Sequence, residues 1–389
     1  MMVKLGDVCE KKIETVKTTY TGKIDYIDIS SVDNQRKEIT QTQSMLFEDA
    51  PSRAKQQVFP GDILVSTVRP NLNAVALITE HSDNILVAST GYCVLRCLPN
   101  VHTKYIFHFC QSPAFIEKLV MQAAGASYPA VTSNIVKECV IPLPPLTEQR
   151  KIAAVLDKVS DLIAKRRQQL DKLDLLIKAR FVEMFGDPEQ NPMGWPTIEI
   201  GAVITTIESG WSGNGKQREK KADEIAVLKV SSVTKGYFIP EECKVLDDQK
   251  NIKKYVSPQR GDLLFSRANT KEMVGATAII REDYPDLILP DKLWKIHFTD
   301  VTNVVYMKYI LSSKTIRNKF SATSTGTSGS MYNVSMEKFK AIKIPIPEIQ
   351  KQNQFSVFVE QTEKTKTTIS HSLEKLETLK KALMQEYFG

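Results

Sequence analysis

Two stretches of this chain place apolar residues every three or four positions over an unusual length. The first runs Ile152, Leu156, Val159, Ile163, Arg166, Leu170, Leu173, Ile177, Arg180 and Met184, where only the arginines are polar. No Gly or Pro interrupts it, so it predicts one helix carrying a heptad seam. A weaker seam closes the chain: Phe355, Val359, Thr362, Ile369, Leu373, Leu376, Leu383 and Tyr387, with Lys366 and Lys380 intruding. A helix with such a stripe has to bury it. Each seam is the nearest stripe of matching length to the other. An antiparallel two-helix coiled coil is therefore expected, with Ile152, Leu156, Val159, Ile163, Leu170, Leu173 and Ile177 set against Phe355, Val359, Ile369, Leu373, Leu376 and Leu383. Two helices packed separately on their own domains are the alternative. Thr147, following Pro144-Pro145, is the expected N-cap of the first helix.

The remaining sequence has a shorter period. Strand-like runs bounded by Gly, Pro, Asn and Asp fall at 26–32, 62–68 and 92–97, and again at 226–233, 262–266 and 293–298. A helix is expected over 105–119. This pattern predicts mixed α/β domains.

The chain is also written twice. Ile141-Pro142-Leu143-Pro144 returns as Ile344-Pro345-Ile346-Pro347, and the same offset carries Leu170, Leu173 and Phe185-Gly186 onto Leu373, Leu376 and Phe388-Gly389. Upstream, Ile29-Ser30-Ser31-Val32 matches Val230-Ser231-Ser232-Val233, and Gly61-Asp62-Ile63-Leu64 with Ser66 matches Gly261-Asp262-Leu263-Leu264 with Ser266. Tyr105 and Gly125 match Tyr306 and Gly326. Ordered matches with slowly drifting offsets are what a duplication followed by loop insertions produces.

Composition narrows the function. A length of 389 residues suits two domains, and a net charge of +7 fits a polyanionic partner without demanding one. Six cysteines without a CxxC pair read as buried reduced thiols, and neither they nor the five histidines show metal-ligand spacing. There is no signal-peptide pattern and no apolar run long enough for a membrane span, so a cytoplasmic protein that does not engage the membrane is expected. Gly210-Trp211-Ser212-Gly213-Asn214-Gly215-Lys216 approaches a phosphate-binding loop. Gln217 stands where the magnesium-binding hydroxyl should be. No methyltransferase or nuclease motif and no Ser/His/Asp grouping is found, so no catalytic residue, metal or cofactor is expected.

Three phrases carry a family resemblance. They are Ile141-Pro142-Leu143-Pro144-Pro145-Leu146-Thr147-Glu148-Gln149 opening the helix, Gly-Asp-Ile/Leu-Leu-x-Ser in each domain, and Met184-Phe185-Gly186-Asp187-Pro188 with Asn191-Pro192 and Gly194-Trp195 between the halves. With them, the chain resembles the specificity subunits of type I restriction-modification systems over essentially its whole length. The resemblance implies two target-recognition domains, 1–146 and 187–347, each reading half of a bipartite double-stranded DNA target. It implies that helices over 147–186 and 348–389 act as spacer and dock two methyltransferase subunits, through which restriction and translocation subunits join. It also implies a recognition subunit that catalyses nothing itself. The second copy departs at Glu348-Ile349-Gln350-Lys351-Gln352, which replaces Pro145-Leu146-Thr147-Glu148-Gln149. A scaffold binding only proteins through two like domains is the rival reading.

Base readout needs paired hydrogen bonds, Arg or Lys on guanine and Asn or Gln on adenine. Such residues should lie in loops that differ between copies on a like scaffold. Three paired places fit. After the Gly-Asp strand stand Arg69 and Asn71 in one copy, and Arg267, Asn269 and Lys271 in the other. Ser89-Thr90 is aligned with Asp291-Lys292. Near each domain's end, Tyr128 and Thr132 are matched by a segment containing Ser330, Met331, Tyr332, Asn333 and Ser335. Lys216 and Arg218 are expected to touch phosphate.

Overall fold

The computed structural model describes residues 1–125, 127–323 and 332–389; Gly326, Ser330 and Met331 lie outside the described residues. Its chain forms two compact units, Met1–Leu170 with Thr368–Gly389, and Asp171–Thr367. Each unit is mixed α/β, and each contains half of both long helices.

In unit 1 the strand Ile63–Ser66 lies antiparallel between Val75–Leu77 and Tyr92–Leu95. A second sheet runs in the order Gln43–Leu46, Lys23–Ile27, Ile85–Ser89, Ala54–Gln57, with the two middle strands parallel. Unit 2 repeats both. Leu263–Ser266 lies between Thr277–Ile279 and Leu293–Phe298, and Ala226–Leu228 pairs in parallel with Leu287–Ile288. Two additions distinguish it among the described residues: Ile204–Ser209 extends the first sheet along Leu293–Phe298, and Gly215–Lys216 extends the second beyond Cys243–Leu246, while no strand takes the place of Ala54–Gln57. The expected strands are present, though 26–32 and 226–233 both end early, because 3-10 turns at Ile29–Ser31 and Val230–Val233 take over.

The helices of unit 1 are α1 (Thr103–Phe109), α2 (Pro113–Met121), α3 (Ser133–Glu138) and the first half of α4 (Leu146–Phe185). The single helix expected over 105–119 is therefore two. Pro113 occupies a first-turn position, and Ser112 caps the new helix by accepting from the Phe115 N–H at 3.2 Å. Unit 2 holds α5 (Val304–Ser312), α6 (Lys314–Thr323), α7 (Met336–Ala341) and the first half of α8 (Ile349–Phe388). Thr147 is not the cap of α4. The helix begins one residue earlier, and the Pro145 carbonyl accepts from Glu148 and Gln149.

Matched polar groups fix the frame in both units. Gly61 and Gly261, at φ 96° and 93°, make the turn into the central strand. Asp62 and Asp262 are buried behind them. Asp62 accepts from the Phe59 N–H and pairs with Arg96 at 2.8 Å, while Asp262 accepts from the Gln259 N–H and pairs with Lys295 at 3.1 Å and His297 at 2.9 Å. The buried hydroxyls of Tyr105 and Tyr306 donate to the Pro142 and Pro345 carbonyls at 2.5 and 2.6 Å. Gln149 accepts from the His102 N–H and donates to the Pro144 carbonyl; Gln352 does the same with Asn303 and Pro347. The change of sequence at the second helix start therefore leaves its anchoring glutamine in place.

Within each unit the helix halves run antiparallel. In unit 1, Ile152, Ala153 and Leu156 share a core with Tyr105, Phe109, Met384 and Phe388, while Arg167 pairs with Glu377 at 2.6 Å. In unit 2, Ile177, Phe181 and Phe185 share a core with Tyr306, Phe355 and Val359, and Asp174 pairs with Lys366 at 2.6 Å. Val159 and Ile163 are buried as well, whereas Leu170, Leu173, Ile369, Leu373 and Leu376 are half-buried. Near the helix ends the buried face has moved one residue along. Phe181 and Phe185 are buried where the heptad runs through Arg180 and Met184, and Met384 and Phe388 are buried beside half-buried Leu383 and Tyr387. A straight helix drifts by about 20° per heptad against a strict seven-residue repeat, and these ends pack on domain cores.

Candidate nucleic-acid interface

The three paired loops, far apart in sequence, meet in each unit on the same backbone frame. In unit 1 the Thr67 N–H and hydroxyl both donate to the Gly91 carbonyl, at 2.9 and 2.8 Å. The Val131 N–H donates to the Thr67 carbonyl at 2.9 Å, the Arg69 N–H to the Pro129 carbonyl at 2.7 Å, and Val68 bridges Ala130. In unit 2 the Arg267 N–H donates to the Lys292 carbonyl at 3.1 Å and the Val334 N–H to the Arg267 carbonyl at 2.9 Å. Ala268–Asn269 pairs antiparallel with Tyr332–Asn333. These bonds correct one alignment: Lys292 corresponds to Gly91 and Asp291 to Thr90, a shift of one residue set by the strand pairs Tyr92–Ser66 and Leu293–Ser266.

The side chains on this frame differ. Arg69 is exposed and left-handed at φ 50°, a conformation costing a non-glycine residue about 1 kcal/mol or more. Its guanidinium lies 4.5 Å from the ring centroid of Tyr128, itself 68% exposed. Asn71 is exposed in the 3-10 turn Pro70–Leu72, which ends on a second left-handed residue, Asn73. Arg267 is half-buried instead. Its Nε donates to the Asp291 carbonyl at 2.8 Å and its guanidinium lies 3.6 Å from the Asp291 carboxylate, which also accepts from the Ser212 hydroxyl. Asn269 uses its side-chain oxygen on the Thr270 N–H, and Lys271 is exposed beyond it. Lys292, Tyr332 and Asn333 are half-buried.

Other candidates have structural partners. Ser89 is fully buried, and its hydroxyl accepts from the Gly91 N–H at 3.3 Å. Thr132 and Ser335 are the N-caps of α3 and α7, accepting from Ile135 and Lys338. Arg218 forms a two-pronged pair with Glu224 at 2.7 and 2.6 Å, which holds the Glu224 carboxyl down at about 2. Lys216 is exposed on the edge strand Gly215–Lys216, so the glycine-rich segment ends in a strand, not in a phosphate-cradling turn before a helix. The sequence reading meets Asp291 only as the neighbour of Lys292 and Ser212 only in the glycine-rich segment; their joint approach to Arg267 depends on loop closure that no local pattern announces.

The family model for the type I restriction modification DNA specificity domain matches residues 1–174 and again 192–380. The chain belongs to this family. The duplicated match follows the duplicated fold, and of the two readings it supports DNA specificity over a protein-only scaffold. The chain is 22% identical over 387 residues to the specificity subunit of the type I restriction enzyme EcoKI from Escherichia coli (strain K12), covering 94% of this chain and 82% of that one. It is 26% identical over 218 residues to the MjaIX specificity subunit of Methanocaldococcus jannaschii, covering 52% and 49%. Among solved structures, a chain from a study of complex assembly and conformational transition in the type I R-M system matches with TM-score 0.58 and 23% identity, over 100% of this chain and 97% of that one. The type I S subunit from M. genitalium matches with TM-score 0.57 and 13% identity, covering 100% and 96%. At these identities the solved structures establish the shared fold. No helix among the described residues of this specificity-domain protein is both long and apolar enough to cross a membrane.

Proposed function

We propose that each unit reads one half of a bipartite double-stranded DNA target, with Arg69, Asn71 and Tyr128 reading for unit 1 and Arg267, Asn269, Lys271, Lys292, Tyr332 and Asn333 for unit 2. The observation that carries this reading is the convergence of three loops on one backbone frame in both units, bearing different side chains. A constant frame with variable hydrogen-bonding groups is what two different half-sites demand. Lys216 and Arg218 contact phosphate, Arg218 after exchanging Glu224 for the DNA backbone. Ser89, Thr132 and Ser335 hold the loops in place. The chain recognises and does not catalyse: α4 and α8 set the spacing between half-sites and dock two methyltransferase subunits, which carry the chemistry and recruit the restriction subunits.

The test uses α4 as a ruler. Inserting four residues after Gln168 lengthens the helix by about 6 Å, close to two base pairs at about 3.4 Å each. Four residues are slightly more than one turn, so the apolar face is nearly preserved. Methylated sites of the assembled complex, mapped genome-wide, are expected to keep both half-site sequences while the spacer grows by about one or two base pairs. An active variant with the old spacer would refute the ruler, and altered half-site bases would refute the division of reading between the units.

A further inference from the structure

We propose that Cys9 and Cys97 form a reversible disulfide, a modification site in unit 1 separate from its DNA-reading loops. The two residues face each other across an antiparallel bridge. The bonds flanking that bridge run from the Glu10 N–H to the Arg96 carbonyl at 2.8 Å and from the Leu98 N–H to the Val8 carbonyl at 3.0 Å. Bonds on either side and none within make this a non-hydrogen-bonded pair, the closer type of antiparallel site, with Cα atoms about 4.5 Å apart. A disulfide spans Cα separations of about 4.4–6.8 Å, so the backbone is already placed to accept one. Opposed residues of an antiparallel pair carry their side chains on the same face of the ladder, so the two thiols lie side by side, and each is the leading influence on the other's acidity.

The surroundings single out this pair. Cys93, Cys110 and Cys139 also belong to the unit 1 core, but Cys110 is fully buried at the C-cap of α1 with no face toward a reagent, and the thiols of Cys93 and Cys139 point to the Ser133 and Ile135 carbonyls at 3.8 and 3.5 Å. Cys243 is in the other unit. Cys9 is 2% exposed while Cys97 is half-buried, so a reagent meets Cys97 first. Hydrogen bonding from Cys9, with a further bond from Thr103, outweighs burial and lowers the Cys97 thiol below its ordinary value, which favours the attacking thiolate.

The oxidant is a low-molecular-weight disulfide such as oxidised glutathione. The Cys97 thiolate attacks one of its sulfurs, forming a mixed disulfide and expelling one thiolate. Cys9 then gives up its proton and attacks the Cys97 sulfur, expelling the second thiolate. Two protein thiols are oxidised and one small disulfide is reduced to two thiols, so electrons and protons balance. The new bond closes a loop that contains both sheets of unit 1, which restricts the unfolded chain and makes the oxidised unit harder to unfold.

The full-length chain is incubated with oxidised glutathione, and its free thiols are then counted in denaturant. Of the six cysteines, four are expected to titrate, with dithiothreitol restoring all six. Non-reduced peptide mapping is expected to recover a fragment joining Cys9 to Cys97. Under the same treatment Cys243→Ser should still lose two thiols. Cys97→Ser should lose none, and its half-buried position tolerates the hydroxyl. Six thiols remaining, a link between another pair, or a glutathione adduct on Cys97 that never resolves would each overturn the proposal.

Discussion

The two loop clusters share a frame but hold their arginines in opposite ways. Arg69 stands exposed against the face of Tyr128, on a left-handed residue that commits backbone strain to that placement. Arg267 is folded back onto Asp291 and fixed at its backbone by Lys292 and Val334. One cluster presents its guanidinium; the other keeps it engaged until something stronger than a partly exposed carboxylate competes. A phosphate or a guanine edge in a two-pronged bond is such a competitor. A duplicated scaffold can therefore carry one pre-set reader and one that must exchange partners, because the frame beneath is held by backbone hydrogen bonds that both units share.

The largest expected effect tests that frame. Asp262 is fully buried against Lys295, whose side chain is 6% exposed. Removing the carboxylate in Asp262→Ala strands a buried cation and should destabilise unit 2 by about 3–5 kcal/mol. Asp62→Ala should cost unit 1 less, because Arg96 is 19% exposed and can turn toward water. All three tryptophans, Trp195, Trp211 and Trp294, lie in unit 2. Their fluorescence in a denaturant titration reads the first variant, and amide hydrogen exchange over the strand Ile63–Ser66 reads the second. Equal losses would show that burial of the paired cation does not govern the difference.

Next in size is the effect on reading. In the assembled complex, Arg69→Ala and Arg267→Ala should each relax one half-site and leave the other intact, by roughly 1–3 kcal/mol of discrimination for a two-pronged base contact. Methylation mapping separates the outcomes. Uniform weakening at both halves would make either arginine a phosphate contact, and unchanged methylation would remove it from the interface.

What was legible in the sequence follows the range of the interactions. The repeat and the two long helices could be read because ordered matches at slowly drifting offsets and an uninterrupted apolar period preserve them. The Gly-Asp phrase announced itself without its purpose, since the cations that Asp62 and Asp262 bind stand on another strand. Ser89 reads as a loop polar group from its neighbours, yet the strand Ile85–Ser89 carries it inside, and only the Gly91 N–H explains its hydroxyl. Tyr128 and Arg69 were singled out separately. Their stacking needed the bridge between Val68 and Ala130 to bring two distant loops together. The heptad reading matches the buried face at each helix start, at Ile152 and Leu156 and at Phe355 and Val359, and slips by one residue at each C-terminal end, where Phe181, Phe185, Met384 and Phe388 pack into a domain core together with the start of the partner helix.

The smallest expected effect concerns pH, and it again sets one unit against the other. His102 and His108 in unit 1 correspond, at the offset that relates Tyr105 to Tyr306, to Asn303 and Tyr309 in unit 2. Burial lowers the pKa of His108 below its ordinary 6.5 despite the Asp157 carboxylate at 2.8 Å, and burial with the nearby Arg150 charge lowers that of His102. In the unfolded chain both titrate near the ordinary value. As pH falls below about 6.5 the unfolded state takes up protons that the folded state refuses. Stability from this source is complete above that pH and is lost as pH falls toward the lowered folded values. Asp157 does not confuse the window. Burial pushes it up, but bonds from His108 and Lys104 prevail and hold it at about 2, so its contribution fades only below about pH 4. Between pH 7.5 and 5.5, hydrogen-exchange protection in unit 1 should therefore drop while the tryptophan-reported midpoint of unit 2 stays nearly still. Parallel loss in both units would mean that groups common to the two copies, and not these two histidines, set the response to acid.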